Sequence, residues 1–178
     1  MNYSNSFFVA LISRYLSLFL ISINGLFIIY YFMSPITYFL SLFMLGLVGS
    51  TQGFFLEKLI VFNGLTIGLV DACVAGAAYY LLLALCLTTP MILHKRVKAV
   101  VFSLSLFLII NVIRITIFSL IAVSEGGSNY FDTLHLFSWY FLSIIIVLGV
   151  WFTTTKVFVI SGIPVYDDFK FLLRYLKK

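Results

Sequence analysis

The sequence predicts an all-α integral membrane helix bundle of about five transmembrane helices, with a short β-hairpin-like segment on the outer membrane surface. Three observations carry that prediction. The 178-residue chain is 63% hydrophobic and 10% charged, with a mean hydropathy of +1.17, whereas an ordinary soluble domain is about half apolar and a quarter charged. Apolar runs approaching the roughly 20 residues that cross hydrocarbon recur along the chain. The basic residues, which give a net charge of +5, flank those runs. That placement reads as topology and lipid headgroup contact, not as a nucleic-acid surface. The length fits a single transmembrane domain over 1–178, with a core at 54–155 and a basic amphipathic tail at 156–178.

The first crossing is expected within about 7–33, with Arg14 near its start, or with 1–13 as an interfacial helix feeding into it. The second, about 36–50, is short and begins just after Pro35. The third is expected over about 72–92, the fourth over about 99–122 and the fifth over about 136–155. Between the second and third, "FFLEKLIVFNGLTIGLV" (54–70) sets β-branched residues on both sides of Asn63 and Gly64. Asn-Gly between two such runs is the strongest short hairpin signal. Its unpaired edges exclude bare lipid, so the hairpin belongs at the surface.

Orientation follows from Lys and Arg. "HKRVK" (94–98) and the tail with Lys156, Lys170, Arg174, Lys177 and Lys178 are expected on the cytoplasmic side. The loop 123–134, "VSEGGSNYFDTL", has no Lys or Arg and reads as an outer loop. Five crossings then put the N-terminus outside. The final "DDFKFLLRYLKK" reads as an interfacial anchor on anionic lipid. No signal-peptide pattern opens the chain. The two cysteines, Cys73 and Cys86, stand about 20 Å apart along a helix, too far for a disulfide. No metal-ligand spacing is present, and no metal or cofactor is expected.

Arg114, within "IINVIRITIF" (109–118), is the outstanding residue. An ionised guanidinium in hydrocarbon costs several kcal/mol, so intramembrane ionisable groups are functional by default. Cys73 is expected at the outer end of the third span and His135 at the outer start of the fifth. Arg114 lies about eight residues, or about 12 Å, below the outer end of the fourth. Asn111 shares its helix face one turn earlier, and Asp71 and Asp132 are near Cys73 and His135 in the sequence. Thiol, imidazole and guanidinium at one depth are the ingredients of thiolate chemistry. Cys73 would attack, His135 would carry the proton, and Arg114 would stabilise thiolate or oxyanion. Each residue also has a plainer reading. A cysteine at a helix start is most often a small core residue, an interfacial histidine a headgroup contact, and Arg114 the partner of Asp132 or Glu125 in a structural ion pair. Cys86 reads as packing and His94 as part of the basic loop.

"DACVAG" (71–76), "NVIRI" (111–115) and "LHLFSW" (134–139), on three successive helices, resemble the exosortase/archaeosortase family of multi-pass membrane proteins, in its small archaeal-type form. The resemblance covers about 54–155. It implies a cysteine-dependent protease or transpeptidase in the cell membrane, with its active site on the extracytoplasmic side and its C-terminus cytoplasmic. Such enzymes recognise a C-terminal sorting signal on secreted proteins, made of a short motif, a transmembrane helix and a basic tail. They cleave through a thioacyl intermediate and pass the new C-terminus to a lipid or other acceptor. By motif position Cys73 is the nucleophile, Arg114 the thiolate or oxyanion partner and His135 the general acid/base, with Asn111, Asp71 and Asp132 supporting. Two features depart from the pattern: Val74 and Ala75 stand before Gly76, where the family places its glycine one position earlier after Ser or Thr, and Asp71 stands where Glu is commoner.

Other readings remain open. The main alternative is a non-catalytic small transporter subunit or scaffold, with Arg114 structural or holding an anionic lipid or solute. It predicts that alkylating Cys73 changes nothing. A membrane hydrolase of another class lacks support, because neither Gly-x-Ser-x-Gly nor His-Glu-x-x-His occurs. An inactive family member is the third.

Overall fold

The computed structural model describes residues 3–124, 141–160 and 162. Among them, three helical stretches are long and apolar enough to cross a membrane: Leu26–Gly46, Asp71–Thr88 and Leu93–Ser124. Helix α1 runs Tyr3–Gly46. A three-stranded sheet follows, with β1 Thr51–Phe54, β2 Leu59–Phe62 and β3 Leu65–Gly68. The chain then forms a short α2 (Asp71–Val74), α3 (Gly76–Thr88), the long α4 (Leu93–Ser124) and α5 (Ser143–Val157).

The start of the chain corrects the sequence reading. The expected separate crossings at about 7–33 and 36–50 are one helix of 44 residues that continues through Pro35. Proline removes one backbone donor, and helix neighbours in an apolar bundle can absorb that loss without a reversal. The interruption comes earlier, at Leu26, whose φ of 64° is left-handed. It divides α1 into the 21-residue apolar stretch Leu26–Gly46 and the shorter Leu11–Ile23. Among the described residues three stretches are candidate spans, and the described part of the expected fifth span is the 15-residue apolar helix α5. The loop 125–134, the first part of the expected fifth span and the tail 163–178 lie outside the described residues.

The hairpin is where Asn63 and Gly64 place it. Both adopt positive φ, 47° and 86°, which a two-residue turn joining strands of right-handed twist requires. Phe62 pairs with Leu65 and Leu59 with Gly68. The sheet has one strand more than expected, because β1 pairs antiparallel with β2, Thr51 opposite Phe62. "TQGF" shows no alternation that would announce a strand. Its pairing is imposed by the turn at 55–58, closed by Lys58 N–H to the Phe55 carbonyl at 3.1 Å, with Lys58 left-handed.

The sheet packs against the ends of two helices. Ile60 and Phe62 of β2 are fully buried against Tyr38 and Leu45 of α1, Leu69, and Ile115 of α4. The Tyr38 hydroxyl donates to the Leu59 carbonyl at 3.1 Å and ties β2 to α1. Asn63 Oδ1 accepts from the Ser50 N–H at 3.1 Å, fixing the hairpin tip to the turn after α1. A second cluster joins Ile29, Tyr79, Leu82, Cys86, Phe107, Val150 and Trp151 from α1, α3, α4 and α5. In a lipid-like environment such packing, together with polar contacts, must supply the association that water-driven burial supplies elsewhere.

At the far end of α3 cations meet carbonyls that the helix leaves unpaired. Arg14 donates to Leu87 and Arg96 to Thr89 and Met91. Lys95 reaches the Val159 carbonyl beyond α5 at 2.8 Å. The basic loop thus closes helix ends as well as carrying charge.

Candidate catalytic site

The chain enters the site from β3. Leu69 N–H bonds the Lys58 carbonyl at 2.9 Å and completes the sheet. Two residues later α2 begins, secured by the Cys73 N–H to the Val70 carbonyl at 2.8 Å. This helix ends after a single turn, because Ala75 adopts φ 59°, ψ 45°. For a residue with a Cβ the left-handed region costs about 1–2 kcal/mol, and such outliers gather at functional sites.

The break has a direct consequence. In a continuous helix the Cys73 and Val74 carbonyls would accept from the N–H groups four residues on. Here Ala78 N–H turns instead to the Ala75 carbonyl at 2.9 Å and starts α3. The carbonyls set free are taken up from α4. Asn111 Nδ2 donates to the Cys73 carbonyl at 2.9 Å and lies 3.5 Å from that of Val74. Asn111 is buried to 1% exposure, so an amide on one helix caps a broken turn on another. This is a stronger role than the supporting one its position beside Arg114 suggested.

Gly76 is explained separately. A Cβ there would lie 2.5 Å from Cζ of the Tyr30 ring. The glycine is needed for close approach, and the left-handed position before it is filled by alanine. Arg114, one turn beyond Asn111 toward the Ser124 end of α4, donates through Nη1 to Ser143 Oγ at 2.7 Å. The guanidinium also stands within electrostatic range of the Cys73 thiol and the Tyr79 hydroxyl. Cys73 itself is half-buried against the cluster that carries the sheet.

Three of the residues singled out in the sequence therefore converge: Cys73, Asn111 and Arg114. Asp71 does not join them. Its carboxylate is exposed and pairs with Lys58 at 3.4 Å, a contact that contributes at most about 1 kcal/mol. His135 and Asp132 lie outside the described residues, as does Glu125. Sequence reasoning missed Ser143, Tyr30 and Tyr79. Ser143 carried the same signal as Arg114, a polar residue inside an aliphatic run, "FLSIIIVL". The role of Tyr30 depends on a contact between α1 and α3 that spacing does not encode.

Beside the break is a cavity of about 900 Å³ whose lining includes Tyr30, Ser34, Tyr38, Phe55, Asp71 and Val74. Cys73 falls in the sequence between two of these residues. The second cysteine, Cys86, is a fully buried free thiol 3.6 Å from Ser103 Oγ, in keeping with a packing role. No family model, curated protein or solved structure matches this chain.

Proposed function

We propose that this protein is a membrane-embedded cysteine protease or transpeptidase acting on C-terminal sorting signals, as its three motifs suggest by resemblance. The observation that carries the reading is the pairing of Asn111 and Arg114, one turn apart on α4. The first holds the carbonyl of Cys73, and the second brings a permanent cation into range of its thiol. A helix broken immediately after a half-buried cysteine and buttressed from a neighbouring helix is an expensive way to place a packing residue.

In the proposed reaction the substrate's cleavage motif lies at the sheet end of the bundle, on the extracytoplasmic side. Arg114 stabilises negative charge on sulfur and on the tetrahedral oxyanion. The Cys73 thiolate forms a C–S bond to the scissile carbonyl. As the C–N bond breaks, His135 delivers a proton to the departing amine. The thioacyl enzyme is resolved when an acceptor amine or hydroxyl attacks the carbonyl, giving an amide or ester and regenerating the thiol. A membrane lipid is one such acceptor.

Mass spectrometry of protein purified from its own membranes tests the reading. The expected finding is an acyl adduct on Cys73 that neutral hydroxylamine removes and that Cys73→Ala lacks. Processing of the substrate pool by a Cys73→Ala protein would overturn it. The 2.7 Å bond from Arg114 to Ser143 equally suits the alternative, a scaffold or transporter subunit with a structural arginine. That alternative expects alkylation of Cys73 to leave function intact.

A further inference from the structure

Five polar side-chain atoms inside the bundle have no hydrogen-bond partner among the described residues: Ser34 Oγ, Thr37 Oγ1, Ser41 Oγ, Tyr79 OH and Asn111 Oδ1. They are not scattered. Ser34, Thr37 and Ser41 recur at three- and four-residue spacing and so share one face of α1. Tyr79 on α3 turns its hydroxyl to that of Thr37, without hydrogen-bond geometry between them. Thr37 and Ser41 are fully buried, and Tyr79 and Asn111 are each 1% exposed.

An unpartnered hydroxyl or amide in a dry apolar interior costs a few kcal/mol. Other hydroxyls in this bundle avoid that cost by bonding the carbonyl four residues back, as Thr116, Ser119 and Thr154 do. Ser34, Thr37 and Ser41 do not; Thr37 faces Tyr79, and Tyr79 packs on Phe107, one turn before the unpaired amide oxygen of Asn111 on α4. Groups that both donate and accept, arranged in a row, match water, which typically satisfies about three otherwise unpaired buried polar atoms. The row also has an entrance, because Ser34 lines the 900 Å³ cavity.

We propose that the row holds a file of ordered water, entering past Ser34, running between Thr37 and Tyr79, and ending at Asn111 beside the Cys73 carbonyl. The file goes beyond the catalytic reading and stands whether or not Cys73 is a nucleophile. If Cys73 is one, the file brings a proton path and a hydrolytic water to within one residue's reach of the thioacyl carbon, and hydrolysis competes with transfer.

Radiolytic hydroxyl-radical footprinting of the full chain in lipid nanodiscs tests this directly, because radicals formed from bound water label the residues touching it. Phe107 is the dry control: its ring packs edge-on against Tyr79 at 4.8 Å and is equally buried. We expect Tyr79 to be oxidised at least about fivefold faster than Phe107, with oxygen drawn from ¹⁸O-labelled solvent. In Thr37→Val the Tyr79 labelling falls by at least about half and the melting temperature drops, since bridged water loses a partner. Tyr79 labelling no faster than Phe107 would overturn the proposal. So would a rise in melting temperature in Thr37→Val, the signature of removing a dry, unpaired hydroxyl. Should Thr37→Val fail to fold, the wild-type comparison of Tyr79 with Phe107 decides alone.

Discussion

The sharpest consequence of the broken helix concerns two adjacent small residues that do different work. Ala75 carries the left-handed backbone, and Gly76 makes room for Tyr30. Replacing Ala75 by glycine removes a left-handed penalty of about 1–2 kcal/mol. It adds the greater freedom that glycine has in the unfolded chain, about 0.5–1 kcal/mol. The balance is a stabilisation of about 0.5–1 kcal/mol, a rise in melting temperature of about 1–4 °C for a chain of this size. Gly76→Ala moves the other way. Its Cβ would lie 2.5 Å from Tyr30 Cζ and 2.8 Å from Cε1, so the ring or the helix must shift, at about 1–3 kcal/mol. The Tyr30→Leu background relieves the contact, and there Gly76→Ala should cost less by at least about 1 kcal/mol. Thermal melts of wild type, the three single variants and the double variant in one detergent, followed by circular dichroism, measure all of this. An Ala75→Gly protein that melts lower than wild type would refute the account of the break. Equal costs of Gly76→Ala with and without Tyr30 would refute the account of the glycine.

Three further outcomes follow from the same geometry. Arg114→Gln should slow iodoacetamide labelling of Cys73 about tenfold, the equivalent of about 1.4 kcal/mol of lost charge interaction; Cys86, buried in the core, serves as the unreactive reference in the same digest. Asp71→Asn should change stability by less than about 0.5 kcal/mol and leave Cys73 labelling unaltered, because the Lys58 contact is solvent-exposed on both sides. Gly64→Ala should lower stability by about 1 kcal/mol in a thermal melt through backbone strain alone, since φ is 86° and no atom lies within 4 Å of the added methyl.

Much of this fold could be read from the sequence where one physical signal dominated. Asn63 and Gly64 specify a turn by backbone preference, and the turn is there. The fourth apolar run, unbroken by glycine or proline, is one long helix. Failures came where two signals competed. Pro35 reads as a boundary, but a helix packed on its neighbours can lose one donor, and the interruption falls on Leu26, a residue with no such signature. At the site, Cys73 and Arg114 stood out because polar atoms are costly in apolar spans. The bond between Asn111 and Cys73 could not be foreseen, because it depends on carbonyls that become available only once Ala75 breaks the helix. Asp71, two residues from Cys73 in sequence, pairs with Lys58 at the surface and also lines the cavity beside the break.

The break itself links structure to function. Backbone that leaves the helical pattern inside an apolar bundle is tolerated only where protein buries it or where it lines a cavity. At Ala75 both conditions hold: Asn111 takes the freed carbonyl of Cys73, and Val74 lines the adjoining cavity. A broken helix alone would suit a transport site equally well, since freed backbone groups bind ions and polar solutes. The proposed enzymatic reading rests on the residue placed at the break. A transport site draws on carbonyls and would keep them open to its solute, whereas the Cys73 carbonyl is already occupied by an amide. The group left over at this position is the thiol, half-buried, with an arginine in range and a cavity one residue away. Asn111→Asp tests the geometry at the break. It removes the donor to Cys73 and sets a negative charge beside the thiol, so labelling of Cys73 should fall by at least about tenfold. Should labelling rise instead, the amide was restraining a loop and not presenting a nucleophile.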